Sequence, residues 1–394
     1  MVPLLLGLFI LPAVDPAESG QWRKIRIATF NTSLHRDSPG KLITDLQQDD
    51  PQARQIATII QTVRPDVILL NEFDFDPANK AADLFRQNYL AVNQEETNAI
   101  QYPHVFARPV NTGVPTGLDL DDNQRIDDPA DAFGFGRHPG QYGMLVLSKL
   151  PIDTQRVRTF QKFLWREMPN ALLPTFPSSQ QSFYTEEALQ ILRLSSKSHW
   201  DLPLRIGNQS LHFLVCHPTP PVFDGPEDRN GRRNFDEIRL WADYVHPDSQ
   251  RSAYLRDDQG GAGGLASDAK FVIAGDLNAD PVDGASRKGS IEQLLYHPRV
   301  NATLVPVSQQ GQKQSQIQGA ANHEHRGNPA HDTADFPDRH TGNLRVDYVL
   351  PSKGLQIRGG GVYWPKQDNK NRTMLDASDH RLVWIDLQLN PSQD

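Results

Sequence analysis

Short apolar runs separated by long polar stretches set the rhythm of the chain. Ile25-Arg26-Ile27-Ala28-Thr29-Phe30-Asn31 alternates like a strand and ends in Asn31. Residues 51–64 follow the helical period. Ile56, Ile59, Ile60 and Val63 share one stripe, and Pro51 stands at the start. Pro65-Asp66 turns the chain into Val67-Ile68-Leu69-Leu70-Asn71-Glu72, a buried strand with Glu72 at its C-terminal end. Strand, helix, strand predicts a crossover unit.

Further on, residues 78–90 predict a short helix and His104–Ala107 a strand. Residues 111–141 are a long Gly/Asp-rich loop, and Tyr142–Ser148 is a strand. Residues 160–192 are irregular with helical pieces, and strands 202–206 and 211–216 are joined at Gly207-Asn208. A polar loop, 224–234, precedes a helix over 235–246, and residues 257–266 are Gly-rich. Phe271–Asp276 and Arg345–Leu350 are buried strands, and Leu382–Leu387 is the last strand. Residues 305–344 carry His323, His325, His331 and His340 without metal-ligand spacing and read as a mobile loop. No internal repeat is visible. The expected organisation is a single domain over 24–387, lengthened by insertions at 111–141, 218–234 and 305–344.

The chemistry-bearing residues stand at strand ends. Gly275 lets the backbone be approached closely, and Asp276 and Asn278 share a face in extended chain. A carboxylate can orient a water, and the neighbouring amide can donate to a phosphoryl oxygen. His217 lies between a buried strand and the rigid Pro218-Thr219-Pro220-Pro221 segment, a place suited to proton transfer. Asp347 inside an apolar strand needs a partner. Ser378-Asp379-His380 supplies one, since an aspartate orients an imidazole and favours its cation. Lys197 among serines and Arg233 in the polar loop are candidate phosphate-binding residues. In the 111–141 loop, Asp119, Asp121, Asn123 and Asp127 fall at positions one, three, five and nine of a calcium loop. Gln124 and Ala130 break that match, so a solvated acidic loop stands beside a structural calcium site as the reading.

Composition narrows the field. The 394 residues carry a formal net charge of -8, which argues against a broad basic surface for nucleic acid but not against a local cleft. A lone cysteine, Cys216, excludes an internal disulfide, and its apolar run marks it as a packing residue. Residues 1–14 are almost wholly apolar and too short to span a bilayer. With small residues at Ala13, Ala17 and Ser19 they predict a leader over 1–20 and an extracellular or periplasmic protein, although no Lys or Arg precedes the run. No later segment predicts a membrane span, and no protein partner is evident. Asn31, Glu72, His217, Asp276, Asn278, Asp347, Asp379 and His380 offer mostly oxygen ligands and no thiolate. That set favours a hard divalent ion such as Mg²⁺ and in-line attack of water on a phosphate ester.

The order of motifs resembles the endonuclease/exonuclease/phosphatase superfamily. The matching segments are ATFN ending at Asn31, LLNE ending at Glu72, YGMLVLSKLPI at 142–152, the His217 segment, GDLNADP at 275–281, RVDYVLPS at 345–352 and SDHRLVW at 378–384. The resemblance implies an α/β fold, a four-layer α/β/β/α sandwich of two packed mixed sheets with helices outside. It implies Glu72 as the main metal ligand, with Asn31 and Asp379 nearby, and Mg²⁺, Mn²⁺ or Ca²⁺ as the ion. By position, Asp276 would place the water or the phosphoryl group, and Asn278 would hold a phosphate oxygen. His380, oriented by Asp347, would act as base or stabilise charge. His217 stands where deoxyribonuclease-like and sphingomyelinase-like members use a histidine. Three activities remain open: a phosphodiesterase or nuclease acting on nucleic acid or a small phosphodiester, a sphingomyelinase-like lipid phosphodiesterase, and a catalytically inactive binding module.

Overall fold

The computed structural model describes residues 23–366 and 372–389. The leader expected over 1–20 lies outside them. The strands, in chain order, are β1 (Arg23–Asn31), β2 (Val67–Asn71), β3 (His104–Phe106), β4 (Met144–Ser148), β5 (Arg158–Thr159), β6 (His199–Ile206), β7 (Gln209–Cys216), β8 (Lys270–Asp276), β9 (Ala334–Asp335), β10 (Asn343–Leu344), β11 (Asp347–Pro351), β12 (Gln356–Tyr363) and β13 (Leu382–Leu389). A six-stranded sheet has the order β12-β13-β1-β2-β4-β3, and a five-stranded sheet has the order β11-β8-β7-β6-β5. β9 and β10 pair as a small separate ribbon.

Strand alternation builds the layers. Ile25, Ile27, Val67, Leu69 and Val146 of the larger sheet pack against Trp200, Leu202, Phe213, Val215, Val272 and Ala274 of the smaller one. Their neighbours point outward. Ala28, Phe30, Ile68 and Leu70 meet Ile56, Ile59 and Ile60 of the helix Pro51–Val63. Leu214, Cys216, Phe271 and Ile273 meet Ile238 and Trp241 of the helix Arg229–Tyr244. Helix, sheet, sheet, helix is the expected sandwich. Each fully buried aliphatic side chain in these layers contributes about 1.5–3 kcal/mol. The first crossover helix starts as its sequence requires: Pro51 occupies the first turn, and the Asp50 carboxylate accepts the Ala53 N–H at 2.7 Å.

Three segments differ from expectation. The second crossover helix begins at Arg229, not at residue 235, because its polar first turn is held from outside: Asp224 accepts the Asn230 N–H at 2.7 Å. The polar stretch 305–344 is built, not loop throughout. It contains the helix Gln309–Gln318, capped where Ser308 accepts the Gly311 N–H at 3.1 Å, and the β9–β10 ribbon. β12, with consecutive Gly359, Gly360 and Gly361, adds an edge strand that the hydrophobic pattern does not announce. Among the described residues no helix is long and apolar enough to cross a membrane.

Candidate active site

Strand direction brings the polar residues to one rim. β1 and β2 run parallel, as do β7 and β8, so their C-terminal ends share an edge of their sheets. β13 is antiparallel to β1 and β11 to β8, which returns the starts of those strands to the same edges. Asn31 and Asp276 end β1 and β8, while Glu72 and His217 follow β2 and β7 directly. Asp347 opens β11, opposite Asp276 in register, and His380 lies just before β13.

Asp276 is the hub, and it is buried. Its Oδ2 accepts from Asn31 Nδ2 at 3.1 Å and lies 3.3 Å from His217 Nε2 and 3.6 Å from His380 Nε2. Its Oδ1 accepts the Asn278 N–H at 3.0 Å. Asn31 Nδ2 also donates to Glu72 Oε1 at 3.1 Å, so two carboxylates converge on one amide group. Behind His380, Nδ1 lies 2.9 Å from Asp347 Oδ2, and Thr333 Oγ1 donates to that same oxygen at 2.8 Å.

Gly275 makes this placement feasible. A Cβ there would sit 2.1 Å from the Cys216 carbonyl oxygen of β7, and its φ of 155° suits glycine. Four non-glycine residues around the rim hold positive φ: Ser33 at 50°, Glu72 at 57°, Tyr142 at 54° and Asn278 at 51°. Each such conformation costs about 1–2 kcal/mol, and such strain concentrates at functional sites.

Charge separates the two histidines. Burial works against a proton on His380, but Asp347, Asp276 and Asp379 outweigh it and hold its pKa well above the ordinary histidine value. Burial pushes His217 down and the nearby Lys197 charge adds to this, with Asp276 only partly opposing. Burial alone would raise Asp276. The His380 charge, His217 and the Asn31 amide win, and its carboxyl stays well below the ordinary range. A cationic imidazole, a neutral imidazole and a carboxylate therefore stand together, the pattern that assigns separate proton-transfer and charge-stabilising tasks.

The remaining candidates divide. Lys197 is buried beside this group, its pKa lowered by burial while Glu237, Glu72 and Asp276 oppose the fall. Asn278 spends its amide on the Pro218 carbonyl at 3.1 Å. Asp379 is exposed at the rim, 3.4 Å from the Ser33 hydroxyl. Arg233 is committed to backbone, donating to Leu194 O at 2.8 Å, Phe133 O at 2.5 Å and Arg193 O at 2.9 Å. Asp119 and Asp121 group with Asp131, and Asp119 also accepts the Asn123 N–H at 3.1 Å. Asn123 donates to Asp128 at 2.6 Å, and exposed Asp127 lies 3.8 Å from Arg125.

Sequence reasoning missed several supporting residues. Buried Asn71 joins the sheets: its Oδ1 accepts the Asp276 N–H at 3.2 Å. The only signal was an amide closing the run Val67–Leu70. His35 Nε2 lies 3.5 Å from Glu72 Oε2, and its ring packs 4.4 Å from that of Tyr142. Tyr142 opens the segment YGMLVLSKLPI without being singled out, and neither His35 nor Thr333 carried a sequence signal.

The donor set fits a hard divalent ion. Glu72 and Asp276 converge on one point, no thiolate is near, and half a turn of the Asn31 amide would present an oxygen to the same place. Asn31, Glu72 and Asp276 would hold the ion.

The fold is thus a two-sheet sandwich with an Asp–His–Asp–His cluster at one rim. A family model described as the endonuclease/exonuclease/phosphatase family matches residues 28–380, and the chain belongs to this family. Its members are generally phosphoric ester hydrolases. A solved endonuclease/exonuclease/phosphatase from Beutenbergia cavernae is similar, with a TM-score of 0.51 and 18% identity over 93% of this chain and 72% of that one. That likeness concerns the fold. A family protein from Leptotrichia buccalis gives a TM-score of 0.47 at 14% identity, covering 93% of this chain and 100% of its own. Sphingomyelinase C from Streptomyces griseocarneus gives 0.46 at 15% identity, covering 92% and 99%. No curated protein matches the chain.

Proposed function

We propose that the protein is a metal-dependent phosphodiesterase or nuclease, exported from the cell, that hydrolyses its substrate by in-line attack of water. The observation that carries this reading is the convergence of Asn31, His217 and His380 on Asp276 Oδ2, with Asp347 behind His380. A bound divalent ion, Mg²⁺ in the first instance, would polarise the phosphoryl oxygen. Asp276, ionised, orients the attacking water. Neutral His217 can take a proton. Cationic His380 donates toward the charge that develops on phosphorus-bound oxygen, and Asp347 fixes its ring and tautomer. Lys197 adds positive charge behind the site. Asp379 and Asn278 stand at the rim where substrate enters.

The test is hydrolysis of bis(p-nitrophenyl) phosphate, the corresponding monoester and plasmid DNA, with Mg²⁺, Mn²⁺ or Ca²⁺ and with chelator. The reading expects metal-dependent turnover of a diester, reduced by Glu72→Gln with weaker metal dependence. His380→Ala is expected to lower turnover far more than substrate affinity. Full activity in either variant, or in chelator, sinks the assignment. Export is tested by sequencing the N-terminus of protein recovered from medium or periplasm: a start beyond the apolar run of residues 1–14 supports it, and an intact Met1 contradicts it.

One observation favours a second reading, a lipid phosphodiesterase. Phe223 is 85% exposed beside Val222, on the insertion that follows His217. If that tip enters a lipid surface, Phe223→Ala will lower hydrolysis of sphingomyelin in vesicles and spare a soluble diester.

A further inference from the structure

We propose that the 111–141 insertion holds one hard divalent cation of calcium's size between Asp119, Asp121 and Asp131, and that this ion fastens the insertion to the wall of the active site. One carboxylate oxygen from each of these residues lies within 4.8 Å of the others. Three anions brought that close repel one another; the Asn123 and Gln124 N–H groups, donating to Asp119 at 3.1 and 2.7 Å, offset part of this, and a cation among the three would offset the rest. The independent sign is Asp131. It is 1% exposed, and although its Oδ1 accepts the Leu120 N–H at 2.7 Å, its Oδ2 is buried with no donor. Burial pushes the Asp131 carboxyl up, and Asp128, Asp121 and Asp119 push it further. The nearby Arg125 does not relieve this, since it turns to Asp127. An unsatisfied buried carboxylate oxygen is costly, and a metal ion is the partner that would satisfy all three groups together.

The donors select the ion. They are all oxygens, which favours a hard cation, and calcium's flexible shell, with metal–oxygen distances of about 2.4 Å, accepts an irregular set of carboxylates. Magnesium requires tighter octahedral ligation and gives up water reluctantly. The site differs from the calcium spacing in the sequence, because Asp131 supplies the third carboxylate where that spacing uses Asn123 and Asp127.

Asp131 is also where the insertion is tied to the fold. Its carbonyl accepts from Thr116 N at 3.1 Å and Thr116 Oγ1 at 2.5 Å. Two residues on, Phe133 N donates to Val114 O at 2.9 Å and Gly134 N to Asn111 O at 3.1 Å. Asn111 in turn donates from its backbone to Lys197 O at 3.0 Å and from its side chain to Ser195 O at 2.7 Å. The path from the carboxylates to the segment carrying Lys197 is thus continuous hydrogen-bonded backbone. An ion at Asp131 would order that segment without touching the reacting atoms.

The experiment titrates the chelator-treated full chain with Ca²⁺ alone and with Mg²⁺ alone. It uses calorimetry, thermal melting and tryptic cleavage after Arg125. Wild type is compared with Asp131→Asn, Asp121→Asn and Glu72→Gln. The expected result is a Ca²⁺ bound in the insertion with a dissociation constant of about 10⁻⁴ M, separate from any ion held at Glu72, and Mg²⁺ bound at least about tenfold more weakly at that site. Glu72→Gln keeps this Ca²⁺ site. Both loop variants lose it, along with the protection at Arg125 and the part of the Tm rise that Glu72→Gln keeps. Asp121→Asn, which alters no hydrogen bond that ties Asp131 to the fold, decides the matter should Asp131→Asn fail to fold. No Ca²⁺-dependent rise in wild type overturns the proposal. So does Ca²⁺ binding that vanishes in Glu72→Gln and survives in the loop variants, because it would place the ion at the catalytic rim.

Discussion

Gly275→Ala probes how the two crossover units are locked into a site. The new Cβ would meet the Cys216 carbonyl oxygen at 2.1 Å, and that oxygen belongs to the backbone of a central strand, so it cannot swing away. Overpacking of this kind costs about 1–3 kcal/mol. Holding alanine at φ 155°, a region suited to glycine, costs about 1–3 kcal/mol more. Together the loss is about 4 kcal/mol, a large part of the 5–15 kcal/mol that holds a typical fold. With an m-value of about 3 kcal/mol/M, the urea midpoint falls by roughly 1 M. Relief of the clash moves β8 away from β7, and Asp276 is the next residue. A displacement of about 1 Å off His217 and His380 lowers turnover about 10²-fold. Urea unfolding followed by the fluorescence of buried Trp165, Trp200 and Trp241, beside diester hydrolysis, measures both effects. An unchanged midpoint with full activity would refute the reasoning.

Thr333→Val keeps the shape but removes the donor to Asp347 Oδ2 and the acceptor for the Val346 and Asp347 N–H groups. Stability is expected to fall by about 1–3 kcal/mol, with kcat reduced more than KM because His380 loses part of its orientation. Denaturant melts and steady-state kinetics check this. Asp332 is buried, and desolvation together with Asp280 and Asp283 pushes its carboxyl up to about 8. The folded state therefore binds more protons than the unfolded chain between about pH 4 and 8, and stability falls as pH rises through that window. The effect of Asp332→Asn is expected to be near zero at about pH 4 and to become a stabilisation that grows as pH rises toward 8. Melts across the range would refute this if the gain is flat or reversed.

The layers were legible because burial on two faces writes itself as apolar runs. Val67–Leu70 and Phe271–Ala274 could be little else, and the residues that close them, Glu72 and Asp276, marked the rim. What eluded the sequence had physical causes. The helix Gln309–Gln318 has no apolar stripe, since it rests on caps and on Gly311 lying against the Trp364 ring, so its polar pattern read as loop. β12 pairs at an edge through backbone, and its glycines leave little side-chain pattern. Asn71 and Thr333 act across chain separations that no local pattern carries. Arg233 looked like a free cation in a polar loop, whereas an earlier helix start turns it onto three carbonyls. The calcium spacing names Asn123 and Asp127, whereas the fold turns the Asn123 amide to Asp128 and sets Asp131, outside that spacing, beside Asp119 and Asp121.

The most direct test of the phosphoesterase site is the rate of bis(p-nitrophenyl) phosphate hydrolysis by Asp276→Asn beside wild type, with divalent metal saturating and the fold checked by melting. Asparagine keeps the size of the side chain but removes the charge that His217 and His380 both face. Turnover is expected to fall about 10³-fold or more with the fold intact. A folded Asp276→Asn that turns over the diester at the wild-type rate would contradict the assignment of this rim as the catalytic site.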